Sequence, residues 1–350
     1  MTETIGSAKA LCKVFMRAGI PVFMEGPPGV GKSDAWQQIA NEEKIKLIDV
    51  RLAQMDPVDL RGLPKVEGDL STWARPDFWP TVERDGERGI ILFDEAADCS
   101  KAMQSAMYQI VLNGRAGPHV IPPGWYRCAA GNNQKHRAGA QAISTALASR
   151  FAWLEVEPSP EEFYSYGLQQ GYHEYVLGFI KFRPTLIHSI CDATDTEKKS
   201  KDNKVVATAR AAEKAFPCPR TWEMVSRICK LHTDPITLTK STIACVGEGA
   251  GIEFSNFIKT LDLPSLEDVL KAPKTCPIPK QPSSRYALVA MLARGATRDN
   301  LGKILQYASR PDFGREFEIC LTLDGCKRDA SLTETKAFCD FANRNSDLQL

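Results

Sequence analysis

Over the first 156 residues, apolar positions follow two alternating periods. Short apolar runs at Pro21–Glu25, Lys46–Arg51, Gly89–Asp94, Tyr126–Ala130 and Ala152–Val156 read as strands. The run Ile90-Ile91-Leu92-Phe93 has no polar alternation, which an interior strand covered on both faces requires. Between these runs the period changes. Ser33–Glu43 sets Trp36, Ile39 and Ala40 on one helical face, and Ser100–Asn113 does the same with Met103, Ala106, Met107, Ile110 and Val111. Ser100 suits the N-cap of the second helix, and Gly114 stands just past its end. Buried strands alternating with amphipathic helices predict a three-layer α/β/α core around a parallel sheet over residues 1–156.

After Pro158 the strand signal ends and helix-period stretches run to the C-terminus. Thr194–Lys204 has no apolar residue, so it reads as a solvated loop or disordered insertion. Ala272–Pro282 carries four prolines and reads as a linker before a last helical segment.

Composition narrows the function classes. The 44 basic and 43 acidic side chains leave a formal charge of +1, which argues against bulk attraction to nucleic acid. Eleven cysteines without a Cys-x-x-Cys pair read as reduced core thiols, not as a disulfide framework or zinc site. The histidines at 119, 136, 173, 188 and 232 lack metal-ligand spacing. No apolar run is long enough for a membrane span, and Lys9, Lys13 and Arg17 interrupt the N-terminal stretch, so neither an anchor nor a signal peptide is expected. A cytoplasmic protein is expected.

Two segments carry chemistry. Gly26-Pro27-Pro28-Gly29-Val30-Gly31-Lys32-Ser33 matches G-x-x-x-x-G-K-[ST] between a predicted strand and a predicted helix, and Asp34 follows in that helix's first turn. Glycines there let backbone N–H groups wrap phosphate oxygens, with the helix N-terminus adding positive potential. Lys32 is then expected to reach the β- and γ-phosphates and Ser33 to coordinate Mg²⁺. The strand Ile90–Phe93 ends in Asp94-Glu95, at the sheet edge where ligands sit in open α/β sheets. Asp94 is expected to hold Mg²⁺ through water, and Glu95 to polarise the water that attacks the γ-phosphate. The chain lacks the Asn-Lys-x-Asp segment by which many P-loop GTPases read guanine, which favours ATP.

Together these segments resemble the AAA+ ATPases. Tyr126–Asn133 is similar to that superfamily's sensor-1 strand, which implies a γ-phosphate contact from Asn132, or from its neighbour Asn133. Ala148-Ser149-Arg150-Phe151 resembles the helix end whose arginine finger enters a neighbouring subunit, which points to Arg150. Pro217–Trp222 resembles the sensor-2 helix start, which points to Arg220. Asp56–Pro64 with Trp73, Pro76 and Trp79, and then Arg115–Gly124, resemble the two inserted hairpins of the MoxR-like, dynein-related branch. The resemblance covers about residues 20–235. It implies an ATP-binding core over 1–156, a helical lid over 157–250 and a C-terminal helical extension of unknown role over 251–350. It further implies Mg²⁺-dependent ATP hydrolysis in a homo-oligomeric ring, a hexamer, that remodels a protein client, with a von Willebrand A domain protein as a partner. A DNA-acting motor with Arg61, Arg75 and Arg115 lining a pore is the alternative, followed by a small-molecule kinase.

Overall fold

The computed structural model describes residues 2–132, 143–189, 215–231 and 234–346. Asn133, His136, His232 and the polar stretch Thr194–Lys204 lie outside the described residues. The chain divides into two compact units, Met1–Pro158 and a second one built from Ser159–Ser189 and the residues from Glu213 onward.

Among the described residues the first unit has ten strands: β1 (Thr2–Glu3), β2 (Val22–Gly26), β3 (Lys46–Arg51), β4 (Leu63–Glu67), β5 (Leu70–Ala74), β6 (Gly89–Asp94), β7 (Arg115–Ala116), β8 (His119–Val120), β9 (Trp125–Asn132) and β10 (Ala152–Val156). Its helices are α1 (Ile5–Ala18), α2 (Lys32–Glu43), α3 (Pro57–Arg61), α4 (Val82–Asp85), α5 (Lys101–Asn113) and α6 (Thr145–Ala148). Six strands form one parallel sheet in the order β1-β10-β2-β9-β6-β3. Strand β6 demonstrates the layering. Ile90 and Leu92 pack with Ala8, Cys12, Trp36 and Ile39, while Ile91 and Phe93 pack with Met103, Met107 and Ile110. Successive side chains therefore bury into opposite helical layers. This is the three-layer parallel core expected from the alternating periods.

Helix α1, strand β1 and the short helix α4 were not expected from the sequence. Helix α1 is capped by Thr4, whose hydroxyl accepts from Ser7 N at 3.3 Å, and it ends at the left-handed Gly19. Only Ala8 and Cys12 of its residues are fully buried, so its apolar stripe is narrow and interrupted by charge. Strand β1 has two residues, too few to show a period.

Both inserted segments are antiparallel hairpins, β4–β5 and β7–β8. The first stands away from the core, with Leu63 69%, Val66 75% and Leu70 72% exposed. Its base is fixed instead by Trp79, which is fully buried, meets Phe93 edge-on and donates from Nε1 to Leu60 O at 2.7 Å. Arg61 lies over the Trp73 ring at 5.3 Å. In the second hairpin His119 and Ile121 turn inward, and His119 Nε2 lies 3.0 Å from Arg61 O, while Val120 faces out.

In the second unit every described regular element is helical: α7 (Pro160–Gln169), α8 (Glu174–Phe182), α9 (Pro219–Cys229), α10 (Pro235–Val246), α11 (Glu248–Lys259), α12 (Leu266–Lys271), α13 (Pro282–Gly295), α14 (Leu301–Ala308), α15 (Arg315–Arg328) and α16 (Lys336–Arg344), with short 3-10 turns between them. Helix α13 crosses α8 closely: a Cβ on Gly178 would stand 2.6 Å from Ala287 Cα. The proline-rich stretch before α13 is irregular, as its composition requires, yet it is pinned and not a free linker. Tyr307 donates to Pro277 O at 2.7 Å, Arg310 to Cys276 O at 2.5 Å and Arg285 to Pro279 O at 2.9 Å. Side chains satisfy carbonyls for which the prolines leave no backbone ladder. No helix among the described residues is long and apolar enough to cross a membrane.

Two outcomes are expected. Trp79→Ala should lower stability by about 3–5 kcal/mol, because it empties a core site and frees the hairpin base, and urea unfolding measures it. Burial pushes the Cys12 and Cys229 thiols up to about 12 and the Cys99 thiol to about 11. Iodoacetamide on the native protein should therefore modify the exposed Cys339 and spare those three; peptide mass spectrometry showing Cys12 alkylated as fast as Cys339 would contradict the packing described.

Candidate active site

The candidate site lies across the C-terminal ends of β2, β9 and β6. Gly26 closes β2 beside β10, where a Cβ would stand 2.5 Å from Val156 O, so only glycine fits. Pro27 is buried, Pro28 and Gly29 are half-buried, and Val30 plugs the loop into the apolar core beneath it. Gly29 (φ 77°) and Gly31 (φ 99°) take the left-handed region and turn the backbone into α2 without side-chain strain. That loop opens a helix of twelve residues, whose N-terminus carries the positive end of the helix dipole.

Four of the expected residues form two hydrogen-bonded pairs, each begun by one of the consecutive residues Lys32 and Ser33. Lys32 is buried, and its ammonium donates to Gly26 O at 2.9 Å, Pro27 O at 2.8 Å and Asn132 Oδ1 at 3.0 Å. Ser33 Oγ donates to Asp94 Oδ2 at 2.6 Å. Strand register places both pairs. Gly26 is paired with Asn132 across β2–β9, and β9 in turn pairs with β6. Asn132 Nδ2 also reaches within 3.5 Å of Asp98 Oδ2, a neighbour the sequence reading did not single out.

Glu95 follows Asp94 in a backbone conformation that non-glycine residues seldom adopt, with φ 56°. Its N–H donates to Asp94 Oδ1 at 2.8 Å, and its carbonyl accepts from Asp98 N at 3.0 Å. The chain then folds back over β9, where Ala96 N donates to Ala130 O at 3.0 Å. This sharp turn lifts the Glu95 side chain off the strand line. Arg51 is another residue the sequence reading passed over. It stands opposite Asp94 in the β3–β6 register and pairs with Asp49 at 3.2 Å, so a guanidinium borders both carboxylates. Only the pairing of β3 with β6 could have flagged it.

The remaining expected residues take no part in the hydrogen bonds described above. Asp34 is exposed in the first turn of α2. Arg150 folds back on its own chain: its guanidinium stacks on the Tyr108 ring at 4.2 Å, donates to the Tyr108 hydroxyl, and donates to Ala146 O at 2.7 Å. Arg220 belongs to the second unit, exposed in the first turn of α9.

The donor set fits the ligands expected from it. A serine hydroxyl and a carboxylate are hard oxygen donors suited to Mg²⁺ beside phosphate, and a lysine with a glycine-turned loop suits the phosphates themselves. Among the described residues no group of His, Cys, Asp and Glu forms a separate metal cluster.

No family model matches the sequence, and no curated protein matches it. Among solved structures, the chain is similar to Thermotoga maritima RuvB, described as a Holliday junction branch migration motor, at 15% identity and TM-score 0.38, covering 87% of this chain and 86% of that one. It is also similar to NtrX from Brucella abortus in complex with ADP, at 12% identity and TM-score 0.38, covering 96% of this chain and 67% of that one. With TM-scores below 0.5, these superpositions carry no weight for what this chain binds or does.

The left-handed Glu95 yields a prediction. A left-handed L-residue costs roughly 1–2 kcal/mol, and glycine gives back part of that in unfolded-state entropy. Glu95→Gly should leave stability unchanged or raise it by up to about 1 kcal/mol while removing the side chain. Loss of stability on denaturant unfolding would mean the carboxylate holds the turn together.

Proposed function

We propose that this chain is a Mg²⁺-dependent ATPase of the AAA+ type. The observation that carries the reading is that consecutive residues Lys32 and Ser33 bond Asn132 and Asp94, at the ends of the adjacent strands β9 and β6. ATP is bound with its triphosphate along the loop Gly26–Gly31, beside Lys32, Ser33 and Asp34. Lys32 neutralises charge on the β- and γ-phosphates. Ser33, and Asp94 through water, would hold Mg²⁺, which would neutralise phosphate charge. Glu95 takes a proton from the attacking water as its oxygen bonds to the γ-phosphorus and the bond to the β–γ bridging oxygen breaks, releasing ADP and phosphate. Asn132 orients the γ-phosphate or that water, and Arg220 is the counterpart of a sensor-2 arginine. Arg150 serves a neighbouring subunit's site in a homo-oligomeric ring, a hexamer, in the cytoplasm.

For the output we favour remodelling of a protein client by a MoxR-like enzyme, with a von Willebrand A domain protein as a fitting partner. The exposed apolar side chains of β4–β5 support a protein-facing role. Two arginines that a DNA-lined pore would require are engaged in their own loop: Arg61 stacks on Trp73, and Arg75 donates to Pro80 O at 3.3 Å. This weighs against the DNA-acting alternative, which DNA stimulation of turnover across a salt series would restore.

Binding and hydrolysis should separate by mutation. Lys32→Ala should abolish ATP binding measured by titration calorimetry. Glu95→Gln should keep Mg·ATP binding and lower turnover by at least ~10². Wild-type turnover in Glu95→Gln would reject the assignment of the β6 carboxylates. Arg150→Ala should bind ATP normally and lose roughly 10³-fold or more in turnover. Mixing it with Glu95→Gln protein should restore some activity, since one junction then combines an intact Glu95 with a neighbour's intact Arg150.

A further inference from the structure

Helix α5 grips the segment Ser144–Arg150 at both ends. Gln104 and Tyr108 are one helical turn apart and share a face of α5. Gln104 is buried, and its Oε1 accepts from Ser144 N at 3.2 Å, where α6 starts. Leu147, between the two grips, is fully buried in the same core. Tyr108 takes the far end, receiving the Arg150 guanidinium on its ring face and on its hydroxyl. Ala146 O and Ser149 Oγ accept from Nη1 at 2.7 and 2.6 Å, and Nε is buried without a partner among the described residues. The guanidinium is thus fixed in plane and in direction. Arginine side chains otherwise sample many rotamers, and a finger acting across a subunit boundary is effective only when its charge is already aimed.

We propose that Tyr108 is the positioning residue for Arg150, setting the guanidinium that completes a neighbouring subunit's site. The proposal rests on the reading of Arg150 as a trans-acting finger. Tyr108 acts through Arg150. Because α5 begins shortly after Glu95, one helix connects a subunit's own carboxylates with the arginine it offers next door.

The test is steady-state ATPase kinetics on Tyr108→Leu, Tyr108→Phe, Arg150→Ala and the double variant Tyr108→Leu/Arg150→Ala, with assembly checked by light scattering. Tyr108→Leu should lower kcat by roughly tenfold with KM for ATP within about twofold, in line with a lost ring-to-guanidinium contact and hydroxyl. Tyr108→Phe keeps the ring and should lose less. In the Arg150→Ala background Tyr108→Leu should add nothing, because both act on one contact. Mixing Tyr108→Leu with Glu95→Gln protein should restore activity, which a folding defect confined to the Tyr108→Leu subunit would not allow. If Arg150→Ala loses turnover while assembled Tyr108→Leu and Tyr108→Phe turn over at the wild-type rate, the positioning role is overturned and the finger stands. If Arg150→Ala itself turns over normally, the finger reading fails and the role of Tyr108 falls with it.

Discussion

The pairing of β9 between β2 and β6 is the constraint on which the rest of the site depends. Adjacent strands lie about 4.8 Å apart, so β2 and β6 are separated by roughly 10 Å. Ser33, at the start of the helix after β2, and Asp94, at the end of β6, close that gap above the end of β9, with 2.6 Å between their oxygens. The strand in the middle must then end in something small and polar. Gly131 allows the turn after β6 to cross over it, since a Cβ there would stand 2.8 Å from Ala97 Cβ, and Asn132 supplies the acceptor for Lys32. Every residue of the group comes from a strand end or helix start fixed by sheet register, and not from a long side chain reaching out of a loop.

Against that rigid frame, conformational cost is concentrated in one place. Glu95 is one of two non-glycine residues with positive φ among the described residues; the other, Lys44, sits at a helix C-terminus, where the left-handed region is a routine cap. Glu95 has no such local excuse. Its strain is held by the backbone hydrogen bonds from Asp98 and to Asp94, and by the Ala96 bond to β9. The inserted hairpins follow a similar division. Their bases are fixed by Trp79, His119 and Ile121, while their outer faces expose Leu63, Val66, Leu70 and Val120.

Much of this was legible in the sequence because the signals were local. The strand runs and the two amphipathic helices of the core carried their own period, and the glycine-rich loop and Asp94-Glu95 followed strands at a readable spacing. What escaped depended on distant pairing. Helix α1 buries too narrow a stripe to declare itself, and Arg51 becomes a neighbour of Asp94 only through β3–β6 register. The clasp of Arg150 by Tyr108 joins residues 42 positions apart. The proline-rich stretch before α13 read as a linker because composition forbids regular structure there, but not packing: Tyr307, Arg310 and Arg285 hold its carbonyls.

In the proposed site the Ser33–Asp94 pair forms the metal end. Equilibrium binding of ADP with and without Mg²⁺, in the wild type and in Asp94→Asn, tests it most directly. The wild type should gain affinity from Mg²⁺, and Asp94→Asn should bind ADP in the absence of metal but lose that gain. An unchanged Mg²⁺ dependence in Asp94→Asn would contradict it.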